Sequence, residues 1–181
     1  MGYRSNSSSQ KLPKYMEKWK VDKLLDKSKR ENQRDHLMIL TMWKTGVRVS
    51  ELTAIRKKDI RDGMLIVRGG KGDKDRSIPL EDDLETGLLQ RTSNMTYRDK
   101  IFDMTRQNVN RILKKYAEDI DEIDEIFPHM LRHSFAVHLL KEGADIVTLN
   151  KLLGHTDLNT TKVYLDLTRE DVKEIFNKVE W

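Results

Sequence analysis

The sequence predicts a mainly α-helical domain carrying one small antiparallel β-sheet, an α+β fold. Apolar residues recur at helical spacing along most of the chain. The period switches to two in a single stretch between residues 64 and 80, where two short runs flank a glycine-rich tip. A length of 181 residues suits one well-packed core and is short for two full domains.

Residues 1–10, MGYRSNSSSQ, are polar, serine-rich and aperiodic, and are expected to form a disordered tail or linker stub. The folded domain is expected from 11 to 181. Residues 11–29 hold a short helix with Trp19, Leu24 and Leu25 as its apolar contacts. A second helix covers 31–45 and stops at Gly46, a C-cap position. Ser50 opens the next helix, with Glu51 in its first turn. Met64, Leu65, Ile66 and Val67 form a strand after the turn Asp62-Gly63, GGKGDKD is a hairpin tip, and Ser77-Ile78-Pro79-Leu80 returns. Residues 82–91 and 105–119 read as helices. Pro128 begins another, 128–142, and Gly143 ends it. Helices near 145–153, 157–166 and 169–179 complete the chain, with no internal repeat.

Composition excludes several function classes. There is no cysteine, so disulfides, iron–sulfur clusters, cysteine zinc sites and thiol nucleophiles are ruled out. No stretch approaches the ~20 apolar residues that span a bilayer, and the N-terminus lacks the apolar core of a secretory signal. Charged residues reach 35%, against about 25% in an average domain. The formal net charge is only +4, so a polyanionic partner is allowed and not required. The charges are uneven. Residues 1–34 carry ten Lys/Arg against four Asp/Glu, a net of +6, whereas EDIDEIDE at 118–125 holds six carboxylates. This pattern suggests one face for a polyanion and another turned away from it, or simply two solvated surfaces.

The helix PHMLRHSFAVHLLKE places His129 and Arg132 three residues apart near its N-terminus, on one face. Free N–H groups and the helix dipole already favour an anion there. The pair therefore reads as a phosphate site, or alternatively as a capping His and an Arg paired to a carboxylate. His129 and His133 are four apart, but no HExxH pattern or third ligand accompanies them, so no metal site is expected. DIVTLNKLLGHTDLNTTKVYL is a helix, a Gly-His turn capped by Thr156 or Asp157, and a second helix bearing Tyr164. Taken alone, Tyr164 reads as a packing residue. Arg48 lies between two helices in TGVRVSEL, while Lys71 and Lys74 lie on the hairpin.

Arg48 in TGVRVSEL, Lys71 in GKGDKDR, His129 and Arg132 in HMLRHSFA, His155 in LLGH and Tyr164 nine residues later occur in one order. Together they resemble the catalytic domain of the tyrosine recombinases, the phage integrase family. The likeness runs from about Leu12 to the C-terminus, and KLPKYM resembles the family's opening segment. It implies that Arg48 and Arg132 clamp a scissile phosphate, and that Tyr164 attacks phosphorus to form a 3′-phosphotyrosyl bond. It also implies His129 as general base, Lys71 as general acid, His155 as a phosphate hydrogen-bond donor and Glu51 as a support. Such chemistry suits these groups: guanidinium pairs stabilise the charged transition state, and a phenol of pKa about 10 needs a proton acceptor at neutral pH. The covalent bond stores the backbone energy, so no cofactor, ATP or metal is expected.

The resemblance further implies double-stranded DNA as partner, with Lys74, Arg76 and Lys151 contacting it, and the cytoplasm, at the nucleoid, as location. It implies a tetramer on DNA. An N-terminal helical core-binding domain, usual in the family, is expected to be absent from this chain, which makes DNA binding weak and strongly salt-dependent. The final segment, LTREDVKEIFNKVEW, repeats Val172, Ile175, Phe176 and Val179 at helical spacing and is expected to dock in cis, leaving a monomer in free solution. A type IB topoisomerase shares the chemistry, and a non-catalytic helix–turn–helix module is the reading from another class. The LLGH and HxLRH wording and the complete residue set favour a recombinase.

Overall fold

A computed structural model of the chain describes residues 13–69, 75–154 and 164. Among these, seven helices surround a three-stranded sheet: α1 Lys18–Glu31, α2 Gln33–Thr45, α3 Val49–Leu52, β1 Ile60–Arg61, β2 Met64–Val67, β3 Arg76–Pro79, α4 Asp82–Thr92, α5 Arg106–Ala117, α6 Pro128–Lys141 and α7 Ile146–Leu153. A single 3-10 turn, Lys57–Asp59, leads into β1. The α+β expectation therefore holds. The helices expected at 157–166 and 169–179, and the C-terminal docking, fall outside the described residues apart from Tyr164.

α2 is the centre of the domain. Leu37, Met38, Ile39, Leu40, Met42 and Trp43 are all buried, so the helix is apolar around most of its circumference. Such a helix must be covered on several sides. α1, α4 and α6 pack against it, with Trp43 stacked on His138 of α6 at a 5.2 Å centroid distance. α1 and α2 meet at a sharp break. Asn32 is extended, and its side chain accepts from the Asp35 N–H to cap α2.

The sheet is antiparallel in the order β1-β2-β3, with Leu65 opposite Ile78 and Val67 opposite Arg76. Leu65, Val67 and Ile78 face the core. β3 starts one residue before the expected Ser77, so strand alternation turns Arg76 inward beside Ile78 while Ser77 faces out.

Among the described residues, part of the basic segment packs against the acidic run. Lys27 meets Asp119 at 2.8 Å, and Lys23 and Lys14 pair with Glu122 and Glu125. The acidic run thus packs beside α1 and neutralises part of its charge. Each exposed pair is worth about 0.2–1 kcal/mol.

Gly46 controls how α6 sits on α2. It ends α2 in the left-handed conformation, φ 61°, with its N–H bonded to the Met42 carbonyl. A Cβ at this position would lie 2.3 Å from Phe135 Cδ1, and Phe135 is itself buried. Gly46→Ala therefore combines left-handed strain with overpacking. We expect a loss of about 3 kcal/mol, read from urea unfolding midpoints. A loss below about 1 kcal/mol would mean that α6 shifts freely and that the contact does not constrain it.

Candidate active site

The α2–α3 junction carries the first basic group. After Gly46 the chain turns through Val47 and Arg48, and α3 begins at Val49 rather than Ser50. The Glu51 carboxylate reaches back to the Arg48 N–H at 2.6 Å, which fixes this early start, and takes the Arg48 guanidinium at 3.1 Å.

Glu51 also accepts two parallel bonds from Arg76, Nη1 and Nη2 each at 2.8 Å. Both side chains are buried, with 7% and 10% exposure. Arg132 Nη1 lies 4.0 Å from the same carboxylate. Three guanidinium groups therefore surround one carboxylate. Burial raises the Glu51 pKa, but the Arg76 pair, the Arg48 N–H and the Arg132 charge outweigh it and hold the group below its ordinary 4.5.

α6 supplies Arg132, which is buried at 3% exposure. Its Nη1 donates to the Gly46 carbonyl at 2.6 Å and its Nη2 to the Leu153 carbonyl at 2.7 Å. Arg76 Nε donates to the neighbouring Leu152 carbonyl at 2.7 Å. The last carbonyls of α7 are thus capped by two arginines, cations at the negative end of a helix dipole. Burial, then the Arg48 charge, lowers the Arg132 pKa to about 10, so it stays charged at neutral pH.

His129 is exposed at the start of α6. Partial loss of hydration and the charges of Arg132 and Arg48 lower its pKa, favouring the neutral ring. His133 lies one turn on, half-buried, its ring 5.9 Å from that of His129. Tyr164 reaches this face from beyond α7. It is 2% exposed, and its hydroxyl lies 2.7 Å from His133 Nδ1. Burial raises the phenol's pKa and the Arg132 charge opposes that. Burial, then His129 and Arg132, lowers His133 to about 4.

Of the sequence-expected residues, the fold gathers Arg48, Glu51, His129, Arg132 and Tyr164 around one locus. Lys71, Lys74 and His155 fall outside the described residues. Lys151 is exposed on α7. Arg76, expected to face DNA, is instead a buried structural cation. The reason is its register in β3, two residues from the inward Ile78. His133 went unassigned because its spacing from His129 was weighed only as a metal pair. Among the described residues, no cluster of three or more His, Asp or Glu could hold a metal ion. A surface groove of about 1230 Å³, lined by Arg34 and Asp35, by α5 and by residues 123–127, contains none of these side chains.

The chain matches the Phage integrase family over residues 14–171. It is 37% identical over 181 residues to tyrosine recombinase XerA of Thermococcus kodakarensis, covering 93% of this chain and 64% of that protein. It is 39% identical over 175 residues to XerA of Pyrococcus furiosus, covering 90% and 60% respectively. The chain thus spans about three fifths of the length of these curated relatives. A crystal structure of XerA recombinase superposes with a TM-score of 0.81 at 25% identity, covering 94% of this chain and 67% of that one. XerH site-specific recombinase bound to difH substrate gives 0.74 at 25% identity, covering 91% and 54%. The catalytic domain of bacteriophage HP1 integrase shares the fold, with a TM-score of 0.69 at 22% identity over 88% of this chain and 94% of that one. No described helix is long and apolar enough to cross a membrane.

The central carboxylate can be tested by stability. Glu51→Gln leaves the buried Arg76 guanidinium without its anion, which should cost about 3 kcal/mol at pH 7. Because the folded pKa of Glu51 lies below the unfolded 4.5, its contribution is present above pH 4.5 and is lost as pH falls through the folded value. Urea midpoints of the two proteins should therefore converge in acid. A gap that stays constant below pH 4.5 would show that the carboxylate's ionisation is not what stabilises the fold.

Proposed function

The chain belongs to the phage integrase family, and from that membership we propose that it is the catalytic domain of a site-specific DNA recombinase. It cleaves and rejoins strands of double-stranded DNA through a 3′-phosphotyrosyl intermediate. The observation carrying this reading is the convergence of Arg48, Arg132 and His129 with the Tyr164 hydroxyl on one face of α6. These are the groups that a metal-independent phosphoryl transfer requires.

In this reading Arg48 and Arg132 hold the non-bridging oxygens of the scissile phosphate. The excess of guanidinium over carboxylate stabilises the charge that grows as phosphorus becomes pentavalent. The rigid Glu51–Arg76 pair keeps Arg48 in place, so little reorganisation is needed when the phosphate arrives. Tyr164 attacks phosphorus, Lys71 donates a proton to the departing 5′ oxygen, and His155 adds a hydrogen bond to the phosphate. His129, exposed and neutral, stands beside the two arginines where a DNA phosphate can reach it. Lys74 and Lys151 contact the DNA backbone, whereas the burial of Arg76 assigns it to the scaffold.

The proposed assembly is a monomer in free solution and a tetramer on DNA, working in the cytoplasm at the nucleoid. The relatives named above are recombinases and an integrase, which favours strand exchange over simple relaxation of supercoils.

Tyr164→Phe removes one hydroxyl and leaves the ring. It should abolish the covalent adduct with a nicked duplex while leaving DNA retention almost unchanged, read on denaturing and native gels respectively. An adduct that survives the substitution excludes Tyr164 as nucleophile. Cleavage by the unmodified chain should persist in excess EDTA, since arginines supply the positive charge. If EDTA stops the reaction and magnesium restores it, the arginine clamp is not the electrophilic catalyst.

A further inference from the structure

We propose that His133 is a catalytic residue, its Nδ1 taking the Tyr164 hydroxyl proton as the phenol oxygen attacks phosphorus. The inference rests on Tyr164 being the nucleophile and adds the identity of the group in contact with the reacting oxygen.

The geometry singles out this imidazole. The Tyr164 hydroxyl lies 2.7 Å from His133 Nδ1, a full-strength O–H···N contact. The rings are 5.7 Å apart at 51°, so the contact runs edge to hydroxyl rather than face to face. Tyr164 is 2% exposed, so bulk water has little access to the proton. His129, the general base that the family resemblance implies, lies one helical turn before His133 with its ring 5.9 Å away, and it is His133 whose nitrogen meets the Tyr164 hydroxyl. The two histidines therefore divide the site. His129 faces the position of the phosphate, and His133 faces the nucleophile.

The groups around His133 set its protonation. His129 and Arg132 flank it on α6 and Tyr164 faces it from beyond α7, while Arg48, at the start of α3, acts on His129. Burial first, then His129 and the Arg132 charge, keep the ring neutral before DNA arrives; the Glu51 carboxylate lies beyond Arg132, 4.0 Å from its guanidinium. A neutral ring that accepts at Nδ1 carries its proton on Nε2. The scissile phosphate brings one negative charge against Arg132. That offsets the field opposing protonation, so His133 becomes a stronger base once substrate is bound.

The step balances. The Tyr164 oxygen–phosphorus bond forms and the bond from phosphorus to the 5′ oxygen breaks. The phenol proton moves to His133 Nδ1, giving an imidazolium, and the 5′ oxygen takes a proton from the general acid, Lys71 in the reading above. In rejoining, the 5′ hydroxyl gives its proton to Lys71 as its oxygen bonds to phosphorus, the bond from phosphorus to the Tyr164 oxygen breaks, and His133 returns its proton to that oxygen.

The test uses a nicked duplex chosen from a randomised pool by adduct formation with the unmodified chain. His133→Asn keeps an acceptor near the Nδ1 position but cannot take the proton. It should slow adduct formation at pH 7 by at least about 100-fold. Its rate should rise about tenfold per pH unit, because the phenol must then ionise first, while the unmodified chain stays nearly flat from pH 6 to 8. His133→Leu should be as slow, with unfolding checked by thermal melting. Histidine 15N resonances on DNA-free protein give a measurement that needs no His133 variant. Tyr164→Phe should shift the Nδ1 signal of His133 by removing its donor. A His133→Asn chain with the unmodified rate and pH profile overturns the inference, as does an Nδ1 signal unmoved by Tyr164→Phe. An adduct formed by Tyr164→Phe, or no adduct from the whole pool, would instead overturn the recombinase reading itself.

Discussion

The buried carboxylate of Glu51 is the constraint on which the site depends. It collects three guanidinium groups, accepting from Arg76 on both oxygens at 2.8 Å and from Arg48 Nη1 at 3.1 Å. Its distance to Arg132 is 4.0 Å, too long for a hydrogen bond. A buried ion pair is a poor source of stability, since desolvation cancels most of its attraction. Here it has a geometric use. One anion among three cations leaves the locus with a surplus of positive charge, and a diester phosphate is the size and sign of group that completes it.

The same arginines tie distant segments together. Arg132 bonds the carbonyl of Gly46 and that of Leu153, joining the end of α2 to the end of α7. Arg76 bonds the carbonyl of Leu152, joining β3 to the same helix end. Gly154 must be small for this, because a Cβ there would meet Arg76 Cδ at 2.9 Å. The groups that balance charge in the site are therefore also the groups that fix its walls.

Much of this was legible in the sequence. Gly46, Pro128 and the Asp62-Gly63 turn marked their boundaries correctly, because caps and turns are local and depend on residue type. The order of Arg48, His129, Arg132 and Tyr164 named the family before any coordinates. What escaped depended on register or on long-range pairing. Starting β3 at Ser77 left Arg76 on an apparent surface loop, although counting two residues back from Ile78 would have turned it inward. Nothing local indicates that the acidic run about a hundred residues later folds against the lysines of α1. His133 shares a helical face with His129, but only the packing of Tyr164 reveals what that face touches.

The capped end of α7 has a kinetic consequence. Gly154 is anchored through its neighbours, and Tyr164 follows ten residues later. A ten-residue chain reaches at most about 35 Å when fully extended. The Tyr164 hydroxyl is thus leashed to the Arg48 and Arg132 locus, with a local concentration in at least the millimolar range, typical of short linkers. In the proposed reaction, attack within one domain is then a first-order event, whose speed does not depend on how many copies of the protein the solution contains.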